Sequence, residues 1–315
     1  MDVYNIVLFF ISLTLTQSIT CLNDDASPRD WIIGYKMPHS FSYASFDNSS
    51  IDWKMSNLNI VNAGILKESM DFGFSLSNFT NTAWFTYNDE KSGEKYQSKY
   101  GHTKGMVAFD KLTNSGIWII HSVPKLPDST SSYSYPHSGF VYGQHFVCVT
   151  LEFSQLHSIV NLFKQSRPYI QGFHVGEELH EEFPDLLKLT QLVKFENPEN
   201  YDIAKLQTVG QNKLEMIAFY KSEIFNKDLY DDLVAINFNV SLDVETWQHG
   251  KNNLPSVCHE DRKVLNIKEV SFKKYGIDVD FPESEDHAKW ALSTGGDSTA
   301  QKIVCLGDIN RMVRS

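Results

Sequence analysis

Cysteine is scarce in this chain. There are four in 315 residues, Cys21, Cys148, Cys258 and Cys305, and no two stand in C-x-x-C spacing, so zinc-ribbon and thioredoxin-type chemistry have no sequence support. Positive charge is also short. Lys and Arg total 28 against 39 Asp and Glu, a formal net charge of −11, a poor match at neutral pH for a polyanionic partner. After the first twenty residues no apolar run approaches the ~20 residues that a membrane helix needs, so the mature chain is expected to be soluble. No G-x-S-x-G, P-loop, H-E-x-x-H or G-x-G-x-x-G occurs, which weakens the usual hydrolase, nucleotide-binding and zinc-protease readings. Neither a metal nor a cofactor is called for.

What is present is a tripeptide frame used twice, His102-Thr103-Lys104 and His287-Ala288-Lys289. In an extended segment, residues two apart point to one face. Each pair therefore sets an imidazole beside a fixed ammonium. The surroundings repeat as well. The first copy leads into the apolar run 105–109, a polar turn 111–115 and a β-branched, aromatic run 116–122; the second leads into 290–292, a Gly/Ser/Asp-rich turn 293–300 and the run 302–306. Both read as strand, turn, strand, the signature of an internal repeat. Two such pairs facing one another make a site for cleaving phosphodiesters without a metal: one imidazole attacks, the other handles the proton, and the lysines neutralise the phosphoryl oxygens.

Further motifs give the chain a resemblance. Gly101-His102-Thr103-Lys104-Gly105, His121-Ser122-Val123-Pro124, Tyr133 to Ser138, Tyr142-Gly143-Gln144, Glu285 to Trp290 and Gly307-Asp308-Ile309-Asn310-Arg311 resemble the deoxyribonuclease II family of the phospholipase D superfamily. Tyr87-Asn88-Asp89, Glu182 to Leu186 and Leu254-Pro255-Ser256 add to it, over roughly residues 21–311. The resemblance implies an α/β fold of mixed sheets with flanking helices, built as two pseudo-symmetric halves around one site. It implies a metal-independent acid endonuclease on DNA, double-stranded first and single-stranded as a further substrate, leaving 3′-phosphate and 5′-hydroxyl ends. His102, Lys104, His287 and Lys289 occupy its catalytic positions, and Asn310 is the best match for a further phosphate-contacting one; His121 and Ser122 are further candidate substrate-binding residues. The superfamily's H-x-K-x4-D is not literally met, since Thr294 stands five places after Lys289 and Asp110 six places after Lys104. Asp110 and Asp286 are candidates to orient an imidazole. The resemblance also implies a Cys21–Cys148 disulfide; Cys258 and Cys305 either pair or stay free, and pairing is the expectation.

The expected layout is a signal peptide over 1–20, an N-terminal half over 21–168, a connection over 169–212 and a C-terminal half over 213–315. Residues 6–13 form the apolar stretch of the leader, and secretion or lysosomal delivery follows from it. Asn48, Asn78 and Asn239 head glycosylation triplets. Eleven histidines reconcile the acidic charge with a DNA partner, because charging all of them near pH 5 takes the net charge to about zero. Candidate strands are 31–37, 83–88, 106–110, 116–123, 145–153, 214–220, 233–244, 264–272, 289–292 and 303–306. A helix begins at Leu156 and stops before Pro168. The loop 134–142 is a candidate cleft wall. Homo-oligomers are compatible with this reading. The alternative function is a catalytically silent secreted relative that binds nucleic acid or a host protein.

Overall fold

The computed structural model describes residues 17–90, 100–195, 199–250, 252–295 and 301–313. It is a mixed α/β protein. Its larger sheet has eight strands, in spatial order Tyr169–Val175, Thr82–Asn88, Gly105–Asp110, Ser115–His121, Gln144–Leu151, Trp31–Lys36, Tyr43–Asp47 and Lys54–Met55. All neighbours run antiparallel. The central strands read as nearly unbroken apolar runs because both faces are covered. Trp84, Met106, Ala108, Ile119 and Phe146 face the helix Ile65–Phe74. Their neighbours Phe85, Tyr87, Val107, Phe109 and Val147 face the helix Leu156–Ser166. The alternation is the period-2 pleat.

The smaller sheet has five strands, ordered Val257–Cys258, Lys263–Asn266, Ser241–Glu245, Trp290–Thr294 and Val304–Leu306. Only Ser241–Glu245 and Lys263–Asn266 run parallel. A separate apolar cluster joins the two sheets, where Tyr35, Met37 and Ala44 meet Val270, Phe272, Phe281 and Ala288. The repeat is visible as a three-strand meander in each sheet. Thr82–Asn88, Gly105–Asp110 and Ser115–His121 form one; Ser241–Glu245, Trp290–Thr294 and Val304–Leu306 form the other. In each, the central strand begins directly after an H-x-K pair.

Three local expectations change. The stretch 233–244 is a strand only over Ser241–Glu245; Tyr230–Val234 is a π-turn continuing into the short helix Ala235–Phe238. Its apolar alternation misled because Ile236 is 54% exposed, while Tyr230, Leu233 and Val234 are buried at helical spacing. The stretch 264–272 breaks into Lys263–Asn266 and Glu269–Ser271. Residues 169–212, expected as a connection, supply an edge strand of the large sheet, the helix Pro184–Thr190 and the hairpin arm Tyr201–Gln207.

Cys21 and Cys148 are disulfide-bonded, with Cα atoms 5.8 Å apart. Cys258 and Cys305 are free thiols, which corrects the expected second pair. They lie on opposite edges of the five-stranded sheet. Four interstrand spacings of about 4.8 Å separate those edges, far beyond the ~7 Å that a disulfide spans.

Candidate active site

The first H-x-K pair lies where the chain enters Gly105–Asp110. Gly101 rests on the end of the helix Leu156–Ser166, donating its N–H to the Arg167 carbonyl at 3.1 Å. A Cβ on Gly101 would come within 2.0 Å of the Ser166 carbonyl oxygen, and one on Gly105 within 2.0 Å of that of Ile119. Only glycine fits at either flank. The second pair is held by the loop before Gln144–Leu151. His287 donates its N–H to the Gly143 carbonyl at 2.9 Å, and Gly143 donates to Glu285 at 2.7 Å.

Each pair is fixed by the other half of the molecule. His102 Nδ1 lies 2.6 Å from the Asp308 carbonyl oxygen, and the Lys104 N–H donates to Asp308 Oδ2 at 2.5 Å. Reciprocally, His287 Nδ1 lies 2.9 Å from the Ser122 carbonyl oxygen and 3.3 Å from Gln144 Oε1, while the Lys289 N–H donates to His145 Nδ1 at 3.2 Å. Ser122 and Asp308 occupy corresponding places, each two residues past the one paired with the first residue of the motif strand. Oxygen acceptors around both Nδ1 atoms place the hydrogen there, leaving each Nε2 lone pair for chemistry. Lys289 Nζ approaches the His287 ring at 3.1 Å but donates to the His287 carbonyl at 2.6 Å.

His102 and His287 line one cavity of about 1280 Å³, together with Asp89, Trp247, Asp308 and Asn310. Lys104 and Lys289 are 2% and 0% exposed, buried beside the histidines rather than lining the cavity themselves. Two further residues stand over the histidines. Asp89 Oδ2 is 2.9 Å from Lys104 Nζ and 3.3 Å from His102 Nε2. The Trp247 ring meets that of His287 edge-on at 5.0 Å.

Burial dominates the electrostatics. It lowers His102 to about 4, helped by the Lys104 charge and opposed by Asp89. His287 falls well below its usual range through burial, then Lys289 and Lys104. Burial and the Lys104 charge also push Lys289 well down. The site is thus short of negative charge, and an arriving phosphodiester anion would favour the protonated lysine and imidazole. Burial raises Asp308 and Asp286 to about 6 each, and Glu245 to about 10.

The other expected residues are placed as follows. Asn310 is 7% exposed and its Oδ1 has no hydrogen-bond partner in the structure. It is steadied by Arg311, which is ion-paired with Asp228 at 2.8 Å and donates to Asn266 at 2.6 Å. His121 is fully buried, its N–H donating to the Lys104 carbonyl at 3.2 Å. Ser122 is 1% exposed; its hydroxyl donates to Gln144 at 2.6 Å and only its carbonyl reaches the motif. Neither candidate aspartate touches an imidazole. Asp110 binds Asn81, Leu112 and Thr113 at the far end of its strand. Asp286 binds Tyr35 and the Ala288 N–H. Of the loop 134–142, Tyr135 is core while Tyr142 packs on Trp247 at 4.8 Å. Among the described residues, no group of three or more His, Cys, Asp or Glu is arranged to hold a metal ion.

Sequence reading missed Asp89 and Trp247 as site residues. Their signal is positional: each stands two residues past the one that pairs with the residue following the motif lysine, Tyr87 opposite Gly105 and Glu245 opposite Trp290.

Fold and site together define a hydrolase class in which two H-x-K motifs of one mixed α/β chain share a cavity. The deoxyribonuclease II family profile matches residues 20–315. Plancitoxin-1 of Acanthaster planci is 30% identical over 97% of this chain and 87% of its own length. Mouse deoxyribonuclease-2-beta is 32% identical over 98% of this chain and 88% of its own. Cell-death-related nuclease 7 of Caenorhabditis elegans is 29% identical over 99% and 84%. The chain belongs to the deoxyribonuclease II family and is a nuclease of that family.

Proposed function

We propose that the chain is an acid endonuclease that hydrolyses DNA phosphodiesters without a metal, through a phosphohistidine, to 3′-phosphate and 5′-hydroxyl ends. The observation that carries this is the reciprocal lacing of the two H-x-K pairs around one cavity. The Nε2 lone pair of one histidine attacks phosphorus in line. The P–O5′ bond breaks as the other histidine gives its proton to the departing oxygen, leaving the fragment that will end in the 3′-phosphate on the first ring. That second histidine then takes a proton from water, whose oxygen attacks phosphorus and releases the enzyme. Lys104 and Lys289 counter the charge on the phosphoryl oxygens, the role that cations fill in other nucleases. Asn310, which lines the cavity with its amide oxygen unpartnered, is assigned to the phosphate or sugar; His121 and Ser122 act indirectly, through their backbone bonds to Lys104 and His287.

Acid conditions favour this chemistry on two counts. Below about pH 6 Asp308 is neutral and adds no charge against an incoming anion. At low pH a larger share of His102 is available as imidazolium. Secretion or lysosomal delivery is consistent with both, and with Asn48, Asn78 and Asn239 all being exposed and open to glycosylation. The expected leader lies largely outside the described residues. Ile19 is fully buried in the core and donates its N–H to Ser115 at 2.8 Å, which supports a mature chain starting upstream of Ile19. No helix among the described residues is long and apolar enough to cross a membrane.

The test is supercoiled-plasmid nicking at pH 5 in EDTA, with His102→Ala and His287→Ala as controls. Nicking by the wild type alone supports the reading. Loss of nicking in EDTA that a divalent cation restores would overturn metal independence, and no nicking under any condition would favour a silent binder.

A further inference from the structure

We infer that Trp247 is a stacking subsite for an unpaired nucleobase next to the scissile phosphate, on the His287 side of the cavity. The inference rests on the nuclease reading for its choice of ligand, and on the geometry around Trp247 for its place. Trp247 is half-buried and lines the same cavity as His102 and His287. Its ring centroid is 5.0 Å from that of His287, 4.8 Å from Tyr142 and 4.7 Å from His249. Those neighbours meet it at 63°, 77° and 51°. None lies parallel to the indole, so the face-to-face geometry that a base adopts is taken by none of them.

The backbone sets where the ring lies. Trp247 follows the strand Ser241–Glu245, in which Leu242 and Val244 are fully buried and Glu245 pairs with Trp290. The indole lies two residues beyond that strand, at the start of the loop that follows it. Successive nucleotides along a strand are spaced by about 3.4 Å when stacked. A phosphodiester whose phosphorus sits at His287 Nε2 therefore brings a flanking base within reach of a ring 5.0 Å from that imidazole. Every base has a π-face, so such a platform strengthens binding without reading sequence. It needs a base free of its own stack, which favours single-stranded or frayed DNA.

The repeat gives independent support. The matching position in the first half holds Asp89, which is ion-paired to Lys104. A carboxylate there repels a phosphate backbone and offers no stacking surface. The two ends of the cavity therefore differ, and one end alone suits a base.

The experiment measures Kd by fluorescence anisotropy on a cleavage-dead His102→Ala background. The probe is a labelled single-stranded hexathymidylate, and its partners are the same strand with one abasic residue placed at each position in turn. With Trp247 intact, one abasic position weakens binding by about 5- to 150-fold, the range for one base on an aromatic ring. In His102→Ala/Trp247→Leu the full strand weakens by a similar factor, and the abasic penalty at that position disappears. His102→Ala/Trp247→Phe, which keeps a ring, retains most of the penalty and guards against a folding artefact. An abasic penalty that persists unchanged in the leucine variant, or no penalty at any position, overturns the subsite. Plasmid nicking by the wild type separates this from the nuclease reading. Base discrimination without nicking would leave the subsite standing and sink the nuclease; nicking without discrimination would do the reverse.

Discussion

The two H-x-K motifs share a scaffold and differ in what stands over them. In both, Nδ1 of the histidine faces a carbonyl from the opposite half and the lysine N–H is held by an opposite side chain. Above His102 hangs a carboxylate that also grips Lys104; beside His287 stands an indole. The two meanders share this hydrogen-bond skeleton, and under the proposed mechanism a shifted Nδ1 would misplace the reacting nitrogen of either ring. The overlying position differs. Burial favours the neutral imidazole in both motifs, and only in the first does a carboxylate oppose it.

The largest expected effect breaks the comparison outright. His102→Ala and His287→Ala each lower the cleavage rate by about 10³-fold or more, since each removes a nucleophile or a proton donor. Equal, severe losses in a single-turnover assay support two indispensable rings; a mild loss for either means that ring stands outside the chemistry.

Next comes Asp89. Its carboxylate raises the His102 pKa against the burial and the Lys104 charge that lower it to about 4. Asp89→Asn takes that support away, so His102 titrates lower still and its charged fraction at pH 5 falls. We expect a loss of about tenfold at pH 5, one pKa unit's worth, with the alkaline limb of the pH–rate profile moved to lower pH. The corresponding change at Trp247 leaves that limb in place.

Asp308 acts on substrate binding rather than on the proton donor. Burial raises its folded pKa to about 6 from 3.8, so the neutral form is the one the fold favours, and ionisation above about pH 6 opposes an anionic substrate. Asp308→Asn is neutral at every pH and extends low KM toward neutrality; KM measured from pH 5 to 8 should rise less steeply than in the wild type. A KM profile identical to the wild type's would remove Asp308 from the account.

A smaller effect concerns stability alone. Glu245 is fully buried, with neither carboxylate oxygen hydrogen-bonded, and is raised from 4.5 to about 10 by burial and then by Asp286. A raised carboxyl contributes stability that is complete below its unfolded pKa and is lost as pH rises toward the folded value. Glu245→Gln should therefore narrow the fall in Tm between pH 5 and pH 8, at about 2–4 °C per kcal/mol for a chain of this size class.

Much of this was legible in the residues. The H-x-K pairs, the two strands after each and the helix from Leu156 all stand where their patterns put them, while most of the second turn, 296–300, lies outside the described residues. Apolar periodicity is reliable there because the strands are covered on both faces. It fails at 230–238, where a helical turn exposes Ile236 and alternation is accidental. The edge strand Tyr169–Val175 escaped notice because its outward residues, such as Phe173 at 51% exposure, blur the apolar signal. Trp247 lies in no motif, and Asp89 only ends the Tyr87-Asn88-Asp89 match, with no role attached to it. They become visible only with the register of the two meanders, a long-range property that no local window contains.

The measurement that bears most directly on a shared site is complementation between single mutants. Purified His102→Ala and His287→Ala chains are mixed at equal concentration and assayed for plasmid nicking at pH 5 in EDTA, beside active wild type. If both motifs of one chain build one site, as the cross-half hydrogen bonds require, the mixture stays at the level of either mutant. Recovery to a substantial fraction of the wild-type rate would mean that the pairs meet between chains, and would contradict the account.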